Sequence, residues 1–410
     1  MISLASVIAL LFYRHEYHRL RYVLEVLNFF GTPAESNYCP VVNETTLWQK
    51  IDSIASPGPL WQHLDDGHYV SSAFWEQKKV FALALGPSKN GFTGKHPFGC
   101  EIWFANSIDP IQGKVHVTPF EKKKVRQGFY QSYRITCEME EALPSVPDEV
   151  TFWKMYSSQP RKFAVPVHNK DNNIFPDSGL ALAVCVLPDN TKRTSAADIG
   201  AFISYHTLIG VTDFVVYDGE RYSSTLSKYQ RRGVSVVGLP WNYPNYSFNG
   251  TERGDVERDC RSRVRSVSAR FIVLSFNEFI VPKSGLRLMS SLQDVNIGKR
   301  VNFQLSTVLF CNNLPDDPGA EPSWPMFMNK TKFDPVVKTD SVKVALTDAE
   351  ASTRSDLIQV SSHIAAVHRY AHCNIPSEAA LDLFKYDPVI RRFASDLIKS
   401  GLLNIHLSVH

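Results

Sequence analysis

The sequence predicts an α/β protein in which a doubly wound sheet of buried parallel strands follows a small β-rich domain. Three observations support this prediction. Short β-prone runs separated by turn residues fill the region 66–175. From Leu180, continuous apolar runs alternate with helical segments in a β-α-β-α-β order over about 60 residues. Those strands end in polar or turn residues, and sheets of this class bind ligands at the carboxyl ends of their strands.

The overall composition excludes several classes of protein. Of the 410 residues, 44% are hydrophobic and 21% are charged, and the formal net charge is +3. This is a globular composition, long enough for about two or three domains. The small net charge gives no reason to expect a nucleic-acid partner. No apolar run reaches about 20 residues, which excludes a protein with several membrane spans.

The first 30 residues contain the one candidate membrane segment. Ile2 to Tyr13 is a 12-residue apolar run followed by Arg14. It is short for a spanning helix, and no basic residue precedes it as in a signal peptide. Three interpretations stay open: a short signal anchor whose first residues are missing, an atypical signal, and a plain N-terminal helix. Residues 31–65, rich in Pro, Ser and Asn, are predicted to be a stem or linker.

Glycosylation sequons and cysteines indicate the secretory pathway. Four N-x-S/T sequons are present, at Asn43, Asn245, Asn249 and Asn329. The seven cysteines form no C-x-x-C pair, which excludes a zinc ribbon or a thioredoxin motif. A few disulfides with one free thiol would suit a lumenal protein, whereas the alternative is that all the cysteines are reduced and buried. We expect Cys185 and Cys260 to be core residues and not metal ligands.

The β-rich domain is predicted from runs that match short antiparallel strands. Turn residues such as Gly86-Pro87 separate them, and no catalytic cluster is visible. We expect this domain to pack on the domain that follows. The runs are Val80 to Leu85, Cys100 to Ala105, Lys114 to Val117, Ser132 to Cys137 and Val150 to Met155.

The α/β domain begins with a strand that is apolar throughout, Leu180 to Leu187, as expected of a strand buried on both faces. Ala196 to Leu208 has helical spacing and stops at a glycine. Two further strands, Thr212 to Tyr217 and Val234 to Pro240, flank a polar helix. The chain has no Gly-x-Gly-x-x-Gly between strand and helix and no Walker A sequence, which disfavours a dinucleotide-binding enzyme.

The next two segments complete this domain, which we place at 176–400. Asp255 to Ala269 is helical in pattern. Phe271 to Pro282 is predicted to be one strand that breaks into polar residues at its carboxyl end. In an α/β sheet, that end is a position for ligand-binding groups.

Six short motifs occur in order along this domain, and together they resemble those of glycosyltransferase family 92, also known as the domain-of-unknown-function 23 group. That family includes galactan synthases of plants and a nematode enzyme that galactosylates fucose on N-glycan cores. The resemblance covers roughly Tyr69 to Tyr370, because Ser72 to Glu76 and Cys100 to Trp103 resemble the family's amino-terminal part. The six motifs are Val184 to Pro188, Tyr205 to Val211, Tyr217-Asp218, Leu239 to Trp241, Asp259 to Arg263 and Asn277 to Pro282.

The resemblance implies a GT-A fold, a single Rossmann-like α/β sheet that binds a nucleotide sugar. It implies transfer of a hexose, usually galactose from UDP-galactose, to a glycan acceptor with inversion. The catalytic domain would lie in the Golgi lumen, with a membrane attachment through the N-terminus. In such an enzyme Mn²⁺ or Mg²⁺ held by carboxylates neutralises the leaving diphosphate. A general base takes the proton of the acceptor hydroxyl.

This chain departs from the family at the metal-binding motif. Family members carry Asp-x-Asp-Glu-Phe where this chain has Ser-Phe-Asn-Glu-Phe at 275–279. A histidine late in the domain completes the ligand set by resemblance, with His363 as a competitor. Because two carboxylates are replaced, we expect the cation to be weakly held or absent. The alternative is a polar turn at the strand end and structural histidines. The candidate metal ligands are Ser275, Asn277, Glu278 and His368.

Other residues are candidates for the donor and the acceptor side. Loops after the first two strands would read the nucleoside, and arginine forks suit diphosphate oxygens, although a solvated basic helix face explains the arginines equally well. Aromatic residues of 241–248 could stack on an acceptor sugar. The nucleotide-sugar candidates are Pro188, Asp189, Asp218, Arg263 and Arg265. The candidates for the general base are Asp316, Asp317 and Asp334.

Two functions follow from these observations. The first is an active galactosyltransferase anchored in the Golgi membrane. The second is a catalytically impaired relative that binds a glycan or assists a partner protein, which the two missing aspartates favour. A glycoside hydrolase has no supporting pair of carboxylates at a recognisable spacing.

Overall fold

The computed structural model describes residues 60–403 with several gaps, and these residues all belong to one compact unit of the chain. The predicted anchor segment, most of the predicted stem and Cys39 lie outside the described residues. No helix in the described part of the chain is long and apolar enough to cross a membrane. The gaps are 66, 77–78, 89–91, 93–97, 105–106, 108, 121–129, 141–144, 156–162, 169–180, 190–193, 245–250, 266–269, 294–300, 334–343, 349–356 and 374–383.

The β-rich region is a closed barrel. The eight strands of this sheet follow the order β1-β2-β3-β6-β5-β4-β7-β8. Because β8 also pairs with β2, the seven strands β2 to β8 form the closed ring, and β1 adds a further pairing with β2. The predicted β-rich character is confirmed. Within the predicted stem, Leu60 and Trp61 are buried, and β1 pairs with β2. The strands are Gln62–Asp65, His68–Glu76, Lys79–Pro87, Phe98–Trp103, Ile111–Pro119, Tyr130–Glu138, Glu149–Lys154 and Phe163–His168.

A disulfide crosses the barrel wall. Cys100 of β4 and Cys137 of β6 are joined across β5, which lies between those two strands. A Cβ atom at Gly113 of β5 would lie 2.5 Å from the sulfur of Cys137. Glycine is therefore required at this position, since any side chain would collide with the disulfide.

Four parallel strands form the centre of the second region, in the order β11-β10-β9-β12. The chain passes from β9 to β10 to β11 on one side and returns to place β12 on the other side of β9. The connection therefore reverses direction between β9 and β12, which creates a crevice at their carboxyl ends. The strands are Leu182–Val186, Asp213–Tyr217, Ser235–Leu239 and Arg270–Leu274. The connecting helices are α1 Ala196–Leu208, α2 Ser223–Gln230 after a 3-10 turn Gly219–Tyr222, and α3 Thr251–Val264.

The remaining strands extend this sheet. The strand β14 pairs with β16 and β17 along its first half and with β18 and β15 along its second half. The strand β13, which follows β12 in the chain, pairs with β18. The strands are β13 Glu278–Pro282, β14 Asn302–Cys311, β15 Lys332–Phe333, β16 Val344–Asp348, β17 Leu357–Gln359, β18 Ala365–Ala371 and β19 Lys385–Tyr386. The helices are α4 Leu288–Gln293, α5 Met326–Asn329, a 3-10 helix Pro388–Phe393, and α6 Ala394–Lys399.

The prediction of one strand from Phe271 to Pro282 is wrong. The segment forms two strands, β12 and β13, separated by a turn at 275–277. The amide of Glu278 donates to the carbonyl of Ser275 at 2.9 Å and closes the turn. The polar residues thus lie in the middle of the segment and not at its end.

Helix α3 lies between the parallel sheet and the barrel. It contacts β9 and β12 on one side and β2, β3 and β6 on the other. A disulfide joins Cys260 of α3 to Cys185 of β9, and both cysteines are fully buried. The prediction that these two cysteines are core residues is confirmed. A third disulfide, Cys311–Cys373, joins the ends of β14 and β18.

One of the four sequons is part of the folded core. Asn329 is buried, and its side-chain amide donates to the carbonyl of Glu321 at 3.0 Å. The hydroxyl of Thr331 donates to Asp317 at 2.5 Å. A glycan on Asn329 is incompatible with this packing. The other three sequon asparagines lie outside the described residues.

Candidate functional site

The carboxyl ends of the parallel strands form the candidate site. Pro188 and Asp189 follow β9, Asp218 follows β10, and the turn at 275–277 follows β12. Parallel strands end at the same edge of a sheet, so these segments share that edge. The turn and the end of β9 flank the crevice where the chain reverses direction.

The structure brings Asp189 and Asp218 together through an arginine that the sequence analysis missed. The guanidinium of Arg221 lies 2.8 Å from the carboxylate of Asp218 and donates to the carbonyl of Asp189 at 3.2 Å. The Asp189 carboxylate in turn accepts hydrogen bonds from the amide and hydroxyl of Thr194, at 3.0 and 2.7 Å. Two acidic groups and one cation are thereby fixed at the ends of neighbouring strands.

Close backbone packing sets the position of Asp218. This residue has a φ of 65°, in the left-handed region that aspartate tolerates better than most residues. A Cβ atom at Gly219 would lie 2.2 Å from the Cα of Gly238 in β11. The Asp-Gly pair therefore lets the chain turn sharply against the neighbouring strand and present the Asp218 carboxylate at the edge.

Arg263 and Arg265 lie at the opposite edge, which does not fit their predicted role in diphosphate binding. Both are at the carboxyl end of α3, and the chain then enters the amino end of β12. Arg263 is fully buried, with its Nε 2.6 Å from the carboxylate of Asp259. Its guanidinium also contacts Ser72 and His168 of the barrel. Arg265 lies 3.3 Å from the carboxylate of Glu76.

The turn at 275–277 is closed by Glu278. The amide of Ser275 donates to the Glu278 carboxylate at 2.8 Å, and that side chain is 1% exposed. The Asn277 amide group donates to the carbonyl of Tyr370 at 2.8 Å. Both side chains therefore stabilise the turn and its contact with β18, as the alternative interpretation of a polar turn states.

His368 lies on the other face of the sheet from Glu278. In the β13–β18 pair, Glu278 is opposite Arg369 and Phe279 is opposite His368. Neighbouring residues of a strand alternate between faces, so Glu278 and His368 point away from each other. His368 is fully buried and stacks on Phe310, with their ring centroids 4.2 Å apart. Burial lowers the pKa of the His368 imidazole to about 3.

These positions do not fit a divalent cation. Glu278 is the one carboxylate at the turn, and it is 1% exposed and accepts a hydrogen bond from the Ser275 amide. Mn²⁺ and Mg²⁺ require several converging oxygen ligands, and the predicted fourth ligand is on the opposite face. Among the described residues, no group of three or more His, Cys, Asp or Glu side chains can hold a metal ion. The competitor His363 is exposed and lies before β18.

The candidates for the general base have different surroundings. Asp317 is buried and accepts hydrogen bonds from the amide and hydroxyl of Thr331, with Arg391 at 3.3 Å, so it stabilises a loop. Asp316 is 60% exposed and lies 2.7 Å from Lys330. Asp334 lies outside the described residues.

The aromatic segment proposed to stack on an acceptor sugar is part of the core. Trp241 and Tyr243 are buried and stack on each other with ring centroids 5.4 Å apart. The indole of Trp241 donates to Glu252, and the Tyr243 hydroxyl donates to Asp255. These two rings are thus unavailable to an acceptor, and residues 245–250 lie outside the described part.

Comparison with known proteins identifies the domain that carries this site. Residues 181–343 match the family model described as Glycosyltransferase family 92. Residues 181–343 belong to glycosyltransferase family 92. The matched segment begins at β9 and ends just before β16, so it includes the ends of β9, β10 and β12. Membership of this family implies glycosyltransferase activity.

The other comparisons add little to the family 92 assignment. No curated protein matches the chain. Two similar solved structures are crystal structures of the GH20 exo-β-N-acetylglucosaminidase from Vibrio harveyi, one in complex with N-acetylglucosamine and one of an inactive mutant. Their identities to this chain are 7% and 8%, the match covers 36% of this chain and 30% of each of theirs, and the TM-score is 0.10. A likeness at this level supports no conclusion.

Proposed function

We propose that the family 92 domain transfers a hexose, galactose from UDP-galactose, to a glycan acceptor with inversion, on a sheet of the GT-A type. The observation that carries the proposal is the coincidence of the family match with the strands whose carboxyl ends converge. The order β11-β10-β9-β12 puts the reversal of direction beside the turn at 275–277, which carries the altered metal-binding motif and is called the motif turn below. A nucleotide in an α/β sheet binds at such a reversal.

In this proposal the ends of β9 and β10 hold the nucleoside. Asp189, Asp218 and Arg221 offer charged acceptors and a donor at one edge. The hydroxyl groups of a ribose are recognised by carboxylates in comparable sheets. The diphosphate would then extend toward the turn at 275–277, and the sugar toward the segments that follow β14 and β18.

The transfer is a single displacement. The acceptor hydroxyl oxygen forms a bond to the anomeric carbon while the bond from that carbon to the diphosphate oxygen breaks. The bonding electron pair leaves with UDP, and the hydroxyl proton passes to a base. Of the two aspartate candidates that the structure describes, Asp316 has the exposed carboxylate, and we propose it as the one to test first.

The location of the protein is part of the proposal. We propose a lumenal domain in the secretory pathway, in the Golgi membrane, as the family resemblance implies. Three disulfides support an oxidising compartment, since disulfides rarely persist in the cytosol. We propose that a divalent cation is at most weakly held, because the ligand set described above does not converge.

The test is sugar transfer by the purified full chain. UDP-galactose is offered with β-galactosyl and fucosyl acceptors, and UDP release is measured together with the anomeric configuration of the product. We expect a β-linked product from the α-linked donor. UDP release no faster than the background without acceptor, for every acceptor and every UDP-sugar, would reject the proposal. It would favour the impaired relative, which the loss of the two aspartates supports as a second candidate.

A further inference from the structure

An arginine lies beside the motif turn where the family's metal ligands are missing. Arg369 of β18 is the direct cross-strand partner of Glu278, the first residue of β13. Cross-strand partners lie on the same face of a sheet. The Nε of Arg369 is 4.0 Å from the Glu278 carboxylate, and the Arg369 side chain is 40% exposed. A cation therefore reaches the surface next to the turn.

The guanidinium of Arg369 is not saturated by protein groups. Its Nε is buried and has no hydrogen-bond partner within the described part of the chain, and Glu278 is its one acidic neighbour there. Other arginines of this region differ. Arg391 donates to two backbone carbonyls and lies 3.3 Å from Asp317, and Arg392 donates to three carbonyls. Arg369 has donors left for a ligand.

We propose that Arg369 binds the diphosphate of the donor, in place of a cation held by carboxylates. The proposal rests on the proposed function and deepens it. A guanidinium presents paired donors that match phosphate oxygens, and its charge does not depend on pH in the usual range. Glu278 lies 4.0 Å from the buried Nε, so the exposed part of the Arg369 side chain consists of its other atoms.

The replacement of the two aspartates is consistent with this assignment. Carboxylates at 275 and 277 would compete with a diphosphate for Arg369 and would repel the diphosphate. Serine and asparagine remove that competition, and the Ser275 hydroxyl can donate a hydrogen bond to a phosphate oxygen. The substitutions and the arginine thus form one consistent anion site.

A simpler role for Arg369 is to balance the buried charge of Glu278. A buried carboxylate needs such compensation, so the ion pair alone could explain the residue. The two roles differ in what they predict for ligands. A balancing arginine affects folding and every ligand alike, whereas a diphosphate-binding arginine discriminates UDP from uridine.

The experiment measures binding by calorimetry on the full chain in EDTA, with UDP, uridine and inorganic pyrophosphate as probes. We compare the wild type with Arg369→Gln, Arg369→Lys and the control Arg287→Gln, an exposed arginine beyond the far end of β13. Arg369→Gln should weaken UDP and pyrophosphate binding by roughly 10- to 100-fold, as expected for hydrogen bonds to a charged group. Uridine binding should stay within about twofold, Arg369→Lys should be intermediate, and the control should match the wild type.

Several results would overturn the inference. One is an equal loss of UDP and uridine binding in Arg369→Gln, and another is no loss at all. A third is UDP binding by the wild type that disappears in EDTA. The wild type failing to bind pyrophosphate would also reject it. Pyrophosphate binding that depends on Arg369, without any UDP binding, would keep the anion site and reject the proposed function instead.

Discussion

The two edges of the parallel sheet use arginine in opposite ways. At the amino edge, Arg263 is fully buried and divides its donors among Asp259, Ser72 and His168. At the carboxyl edge, Arg369 is 40% exposed and has Glu278 as its one acidic neighbour in the described part. The first arginine holds the barrel against the α/β region, and the second has donors left for a ligand. A basic residue near a motif is thus informative only when its partners are known.

The largest expected effect is the loss of folding stability when Arg263, at the amino edge of the parallel sheet, is replaced. Arg263→Met leaves the Asp259 carboxylate buried beside the hydroxyl of Tyr217, which donates to it at 2.5 Å. Breaking a buried ion pair on one side costs about 3–5 kcal/mol. We expect a loss of that size in the free energy of unfolding, measured by urea denaturation.

A matched double variant separates charge from packing at this site. Arg263→Met/Asp259→Leu should lose less stability than Arg263→Met alone, because no unpaired charge stays buried. A loss below about 1 kcal/mol in the single variant would show that the buried pair does not hold the barrel to α3.

The next largest loss of stability should follow from disturbing the backbone packing of Gly219 at the carboxyl edge of the sheet. Gly219→Ala places a methyl group 2.2 Å from the Cα of Gly238 and must displace the turn that carries Asp218. Overpacking of this kind costs about 1–3 kcal/mol. We expect that loss in thermal unfolding, together with weaker uridine binding. Gly254→Ala in α3 is the control, since its methyl group would meet the flexible tip of Arg258; equal effects in both variants would contradict the account.

The stability of the folded protein should also depend on pH, through His368, with a smaller effect. Burial lowers the pKa of His368 to about 3, so the folded state keeps this imidazole neutral. The unfolded chain binds a proton near its ordinary value of 6.5, and stability therefore falls as the pH drops below that value. Between pH 7.5 and 5.5 the loss should be about 1 kcal/mol for this residue.

His368→Phe should reduce that loss, because phenylalanine does not titrate and can also stack on Phe310. The comparison uses the free energy of unfolding at both pH values in wild type and variant. His206, whose pKa burial lowers to about 3 as well, keeps its own share in both proteins. An unchanged pH dependence in His368→Phe would show that His368 is not a buried neutral group.

The smallest effect on stability should be that of Glu278→Gln. The amide oxygen can still accept the hydrogen bond from the Ser275 amide, so the turn should remain and unfolding should change by about 1 kcal/mol or less. Transfer should nevertheless be lost, because Arg369 no longer has the charge that orients it. Wild-type UDP release by a folded Glu278→Gln variant would contradict this role.

The sequence predicted the parts of the fold that depend on burial. The strands β9, β10 and β11 were predicted correctly because strands covered on both faces are apolar throughout. The turn between β12 and β13 was missed because Phe276 continues the apolar pattern between two polar residues. The i to i+4 spacing of Asp259 and Arg263 on a helix was visible and could have signalled an ion pair.

The candidate site was predicted less well, and for a geometric reason. The positions of Asp189 and Asp218 follow from the rule that ligands bind at the carboxyl ends of strands. The separation of Glu278 from His368 depends on the register of β13 against β18, strands that are about 90 residues apart in the chain. Neither the hydrophobic periodicity nor the composition of the sequence predicts which residues of β13 and β18 pair with each other. Arg369 was missed for the same reason.

The most direct test of the central claim is the dependence of UDP binding on Mn²⁺. Calorimetry compares the wild type with the Ser275→Asp/Asn277→Asp variant, each in EDTA and in Mn²⁺. We expect the wild type to bind UDP with the same affinity in both conditions. The variant should bind UDP more weakly in EDTA, because its new carboxylates occupy Arg369, and should regain affinity with Mn²⁺. Equal, tight and Mn²⁺-dependent UDP binding by both proteins would contradict the claim that this edge binds a diphosphate through arginine.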